Sequence, residues 1–106
     1  MPDSPTILLV DDEIAHLKTL EKLFVREGYA VECAEDGQRA LDLIRQREQP
    51  PALVITDLMM PGDIDGMDLL GLIKKLTPET EVILMTAFGT VELAVQGMKE
   101  GAYDFI

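Results

Sequence analysis

Cysteine occurs once in this chain, at Cys33, and basic residues number only 9 against 20 acidic ones. A single cysteine excludes an internal disulfide and a thiolate metal cluster, and it fits a reducing cytoplasm. The net charge of -11 argues against direct binding to nucleic acid or to an anionic membrane, while leaving room for a divalent cation. No apolar run approaches the roughly 20 residues that cross a bilayer. The first five residues carry no basic group ahead of an apolar region, so they do not read as a signal peptide. Repeats, linkers and low-complexity segments are also lacking. With 106 residues, 47% of them apolar, the chain reads as one domain spanning 1–106. A domain of that size buries roughly two-thirds of its unfolded surface without help from a metal or disulfide.

The stretch that organises the rest is 53–62. Leu53 to Thr56 are apolar or β-branched, as a strand buried on both faces requires. Asp57 ends that strand, and Pro61 and Gly62 impose a turn. A lone aspartate there would most simply start a turn. Here a second acidic cluster, Asp11, Asp12 and Glu13, follows another apolar strand at 6–10. Open α/β sheets place ligands at the carboxyl ends of their strands, and two acidic strand ends in one parallel sheet can converge there.

Taken in order, apolar spacing predicts a helix from Ile14 to Glu27, with Ile14, Leu17, Leu20 and Phe24 inward and Gly28 as its stop. Tyr29 to Cys33 alternates like a strand at a sheet edge. A second helix opens at Asp36-Gly37 and runs to about Glu48. After the central strand, Met67, Leu70, Ile73 and Leu76 mark a third helix. Glu81 to Met85 is a fourth strand, and 86–89 a loop. Val91, Ala94, Val95 and Met98 form the inward stripe of a fourth helix, and Ala102 to Ile106 begins a fifth strand. Strict alternation of strand and helix demands a parallel sheet with helices on both faces. The chain stops inside what reads as the fifth strand, where a fifth helix would normally cover one side. The expectation is a C-terminally truncated domain.

Three carboxylates held together repel, at a cost on the order of 4 kcal/mol for a pair about 4 Å apart at an effective dielectric near 20. Either some of them become protonated or a cation sits among them. Oxygen ligands with no histidine or cysteine expected nearby favour a hard ion such as Mg2+, which commonly bridges to phosphate. A carboxylate can itself attack phosphorus and form an acyl phosphate. Thr86, after the fourth strand, can donate its hydroxyl to a phosphoryl oxygen, and is as readily a helix cap. His16 reads as a solvated surface histidine, Cys33 as a small buried hydrophobe, and Arg45, Arg47, Lys74 and Lys75 as solvated helix faces. Met59 and Met60 either pack or offer an adaptable apolar surface.

The ordered set Asp11-Asp12, Asp57 with the following Leu-Met-Met-Pro-Gly, and Thr86-Ala87 resembles the receiver domain of bacterial two-component response regulators. The runs 86–95 and 101–106 are most similar to receivers of sigma-54-dependent (NtrC-type) transcriptional activators. The resemblance implies a flavodoxin-like (βα)5 fold with sheet order 2-1-3-4-5. It implies that Asp57 accepts a phosphoryl group from a sensor histidine kinase. It further implies that Asp11, Asp12, Asp57 and the Met59 main-chain carbonyl hold Mg2+, that Thr86 closes on the phosphoryl group, and that Phe105 is the aromatic switch. Output domains would lie outside this chain, and a homodimer through the fourth helix and fifth strand is open. Such a domain is not an enzyme beyond its own phosphorylation and dephosphorylation.

Two departures from the family pattern stand out. The chain ends before the Lys-Pro that usually follows the aromatic position, so phosphorylation of the chain alone is expected to be weak. The turn 61–66 is one residue longer than usual, with Asp63 and Asp65 read as turn formers and not as ligands. Two other function classes compete. A Mg2+-dependent phosphatase of the haloacid dehalogenase kind expects an Asp two residues after its nucleophile; Met59 follows Asp57 and Glu13 follows Asp11 at that distance. A binding-only domain with a vestigial acidic rim would show no affinity for Mg2+.

Overall fold

Continuous apolar strands alternate with amphipathic helices, and the chain folds accordingly. The computed structural model describes residues 5–85 and 91–106. In chain order the elements are β1 (Thr6–Val10), α1 (Ile14–Arg26), β2 (Ala30–Ala34), α2 (Gly37–Gln46), β3 (Leu53–Asp57), α3 (Gly66–Leu76), β4 (Glu81–Met85), α4 (Val91–Lys99) and β5 (Asp104–Phe105). The five strands form one sheet in the order β2-β1-β3-β4-β5, and every neighbouring pair is parallel. This is the flavodoxin-like winding.

Alternate strand residues supply two cores. Leu8, Val10, Val54, Val82 and Leu84 face α2 and α3, meeting Leu41, Ile44, Leu69, Leu70 and Ile73. Ile7, Leu9 and Ile55 face the other way, onto Leu17 of α1, with Leu20, Phe24, Val31 and Cys33 packed around them. The half-buried Cys33 thus serves as a small hydrophobe. Among the described helices α1 alone covers this second face, and Leu53, Ile83 and Met85 on it stay half-buried.

Local chemistry sets the helix ends. Gly28 follows the last turn of α1 with φ +97°, a left-handed conformation that costs glycine nothing. Asp36 caps α2, its carboxylate accepting from the Arg39 N–H at 2.8 Å. Asp65 caps α3 in a reciprocal box with Asp68. Arg47 and Lys74 are not the solvated residues expected. Arg47 lies just past α2 and bridges Glu32 at 2.8 Å and the Thr6 hydroxyl at 3.0 Å, tying two strands to the helix end. Lys74 donates to the Thr80 carbonyl at 2.7 Å.

The inward faces of three helices differ from the expected stripes. Ile14 and Leu76 are exposed at the extreme ends of their helices. In α4 the difference is larger: Val91, Val95 and Met98 are 76%, 46% and 48% exposed, while Gly97 is buried. A Cβ on Gly97 would lie 2.8 Å from the Leu84 side chain, so the missing side chain lets α4 sit close on the sheet. Substitution follows these faces. Leu70→Ala, at a fully buried position, is expected to lower unfolding free energy by about 2–5 kcal/mol in urea titration. Val95→Ala should change it by no more than about 0.5 kcal/mol.

Candidate functional site: an acidic cluster at the carboxyl edge

The register of β1 and β3 builds the site. Val10 pairs with Thr56, so the next residues, Asp11 just past β1 and Asp57 at the end of β3, stand side by side. Neighbouring strands are about 4.8 Å apart. Asp12 follows Asp11 at the same edge. One carboxylate oxygen from each of Asp11, Asp12 and Asp57 lies within 4.8 Å of the others, a grouping able to hold a metal ion. Burial is graded across the cluster. Asp11 is buried, Asp57 half-buried and Asp12 exposed.

Backbone and side-chain donors fix the two deeper carboxylates. The Asp11 N–H donates to the Ala34 carbonyl at 3.1 Å, anchoring the residue between β1 and β2. Asp11 Oδ1 accepts from the Glu13 N–H at 3.0 Å, and Oδ2 is bonded to His16 Nδ1. Asp57 Oδ1 accepts from the Met59 N–H at 3.4 Å. Behind Asp57 the chain is held by Leu58 N–H on the Met85 carbonyl at 2.8 Å and Gly66 N–H on the Leu58 carbonyl at 3.0 Å. Gly66 is pressed against this segment. A Cβ there would stand 2.3 Å from the Asp57 carbonyl oxygen and 2.7 Å from the Leu58 Cα, a space only glycine fits.

Electrostatics single out Asp57. Desolvation pushes its carboxyl above the ordinary aspartate value; the Met59 N–H opposes, the nearby Asp11 and Asp12 charges push it up further, and the Leu58 N–H again opposes. A carboxylate that is costly to ionise, at the open edge of a sheet, favours a cation beside it or conversion to a less repulsive form.

Asp11, Asp12 and Asp57 are therefore brought together as the sequence led us to expect. Thr86 falls outside the described residues. Met59 is mostly exposed, and its N–H faces Asp57, whereas Met60 packs against the core. Asp65 is occupied in capping α3. Phe105 lies at the far edge of the sheet, half-buried, with its ring 3.7 Å from where a Gly97 Cβ would be. His16 is the residue sequence reading missed. It stands five positions after Asp11, in the first turn of α1, and that turn brings its ring back over the strand end.

Residues 7–106 match the family described as the response regulator receiver domain. The chain belongs to that family. Among curated proteins this receiver domain is 41% identical over 104 residues to the transcriptional regulatory protein ZraR of Escherichia coli K12, covering 98% of this chain and 23% of ZraR. It is 39% identical over 101 residues to the nitrogen assimilation regulatory protein NtrX of Azorhizobium caulinodans, covering 94% of this chain and 22% of NtrX. The receiver domain thus spans less than a quarter of these relatives. Among solved structures, a response regulator receiver domain protein from Clostridium thermocellum superposes with a TM-score of 0.89 at 35% identity, covering 96% of this chain and 80% of that one. The receiver domain of NtrX from Brucella abortus does so with 0.85 at 39% identity, covering 94% and 82%.

The raised Asp57 carboxyl has a consequence for the receiver's stability. The folded chain holds the Asp57 proton more tightly than the unfolded chain does. Stability is thus greatest with Asp57 protonated, and declines as pH rises from the ordinary carboxylate range through the raised folded value. In chelator at about pH 7, Asp57→Asn should melt above the parent, and the gain should vanish by about pH 3, where both chains are neutral at this position. Thermal melts across that range check it.

Proposed function

We propose that this receiver domain accepts a phosphoryl group on Asp57 and passes the change to an output carried elsewhere in a longer regulator. The convergence of Asp11, Asp12 and Asp57 beside one another carries this reading. The three carboxylates offer a hard, all-oxygen donor set, which suits Mg2+. Asp11, Asp12, Asp57 and the Met59 main-chain carbonyl would hold it. When bound, Mg2+ supplies positive charge that offsets the carboxylates and the incoming phosphoryl oxygens.

In this scheme Asp57 is the nucleophile. Its free carboxylate oxygen attacks phosphorus of a phosphohistidine on a sensor histidine kinase, and the P–N bond breaks toward the imidazole. The Met59 N–H keeps the other Asp57 oxygen in place. Gly66 keeps the backbone behind Asp57 seated, since any side chain there would displace it. Thr86 donates to a phosphoryl oxygen, and Phe105 reports the change at the β4–β5 edge. The domain performs its own phosphorylation and dephosphorylation and turns over no other substrate.

The relatives support the rest of the assignment. ZraR and NtrX are regulatory proteins over four times the length of this chain, which fits a module of a sigma-54-dependent (NtrC-type) regulator acting on transcription in the cytoplasm. No described helix is long and apolar enough to cross a membrane. The net charge of -11 supports a domain that itself contacts neither nucleic acid nor membrane. The outward Val91, Val95 and Met98 support a homodimer through α4 and β5.

A small-molecule phosphodonor with Mg2+ should add one phosphoryl group to the chain, read by intact mass. Asp57→Asn should abolish the addition, and chelation of Mg2+ should suppress it. Unchanged labelling of the Asn variant would exclude Asp57 as the acceptor.

A further inference from the structure

His16 lies outside the carboxylate cluster yet touches its deepest member. The Asp11 side chain is 5% exposed, and its Oδ2 is bonded to His16 Nδ1, on a ring that is itself 43% exposed. An ionised carboxylate can only accept, so Nδ1 carries the proton and donates. The other oxygen, Oδ1, is taken by the Glu13 N–H at 3.0 Å. Both oxygens are thereby tied to the start of α1, one by main chain and one by side chain. A carboxylate oxygen accepts two hydrogen bonds or ligands, so each retains one free lone pair.

We infer that His16 is a positioning residue for Asp11, fixing the plane of its carboxylate so that the remaining lone pairs are presented to a divalent cation shared with Asp12 and Asp57. The inference rests on the reading of Asp11 as a cation ligand. Its physical basis is the repulsion among three carboxylates, one oxygen of each lying within 4.8 Å of one oxygen of the others. Without a second donor, Asp11 can rotate about its Cβ–Cγ bond and turn its charge away from its neighbours. That relaxation must be reversed when a cation binds. The His16 bond removes this freedom beforehand, as outer-shell partners do for metal ligands in general.

A merely structural role predicts something different. His16 is well exposed, so removing its ring opens no core cavity. If it served only to tie down the first turn of α1, its loss would lower stability and leave cation affinity alone. Asparagine separates the two cases. Its amide nitrogen is bonded to Cγ, as Nδ1 is, so His16→Asn places an N–H at the same reach along the side chain.

Calorimetric titration of Mg2+ into the whole chain, at one pH and ionic strength, tests this on the parent, His16→Ala and His16→Asn. Melts in chelator provide the stability control. The expected result is about tenfold weaker Mg2+ binding by His16→Ala, with most of the affinity restored in His16→Asn. The three chains should melt close together. Equal affinity in parent and His16→Ala overturns the proposal, whether or not the melts differ. Tighter binding by His16→Ala also overturns it, because the ring would then be competing for the Asp11 lone pair. Equal weakening in both variants overturns it too, since the donated N–H would not be what matters. A parent chain that takes up no Mg2+ defeats the cation site itself along with this inference, whereas the other failures leave the site standing.

Discussion

The pairing of Val10 with Thr56 is the constraint on which the site depends. Parallel strands in register end at the same edge, so the next residue of each is delivered to its neighbour's side. A slip of one residue would turn alternate side chains to the wrong face and part the two aspartates along the strand. The slip is prevented from both faces of the sheet. Val10 and Val54 are buried against α2 and α3, while Leu9 and Ile55 are buried toward α1. The acidic cluster is thus held in place by apolar packing of the strands beneath it, against the mutual repulsion of its carboxylates. That arrangement leaves the carboxylates available for chemistry, since the fold does not require them to be paired with fixed cations.

Around that register the loops grade the environment of each carboxylate. Asp11 lies deepest, anchored by Ala34 and wrapped by the first turn of α1. Asp12 projects into solvent. Asp57 sits between these extremes, half-buried, with a weak backbone donor and two like charges beside it. The same residue type therefore occupies three environments, and only one of the three combines desolvation, like-charge pressure and access. Gly66 is part of this grading from behind. Its close approach to the Asp57 carbonyl sets where α3 can begin, and the Asp65–Asp68 box then starts the helix at that point.

Element types and order were legible because β1, β3 and β4 are short and mostly apolar, and each helix carries a polar face. The boundaries of β4 were read to the residue. The edge position of β2 followed from its alternation. The inward face of α4 was misread for a definite reason. Apolar residues line both of its sides, and hydrophobic bulk favours the stripe with Val91, Val95 and Met98. The structure instead turns Gly97 inward, because closeness to Leu84 and Phe105 outweighs the bulk of the side chain. Arg47 was misread for a related reason. Its partners Glu32 and Thr6 are distant in sequence and become neighbours only through the sheet.

Composition and pattern alone determined an α/β fold, strongly acidic, with aspartates at the ends of two apolar strands. Those properties are carried by local periodicity and residue type, which need no partner to be read. Only the tertiary structure decided which aspartates meet, how deeply each is buried, and that His16 belongs with them. The hydrogen bond from His16 to Asp11 depends on the angle at which α1 leaves β1, and that angle is set by Leu17 docking on Ile7, Leu9 and Ile55. Such long-range packing has no signature in the spacing of a single histidine.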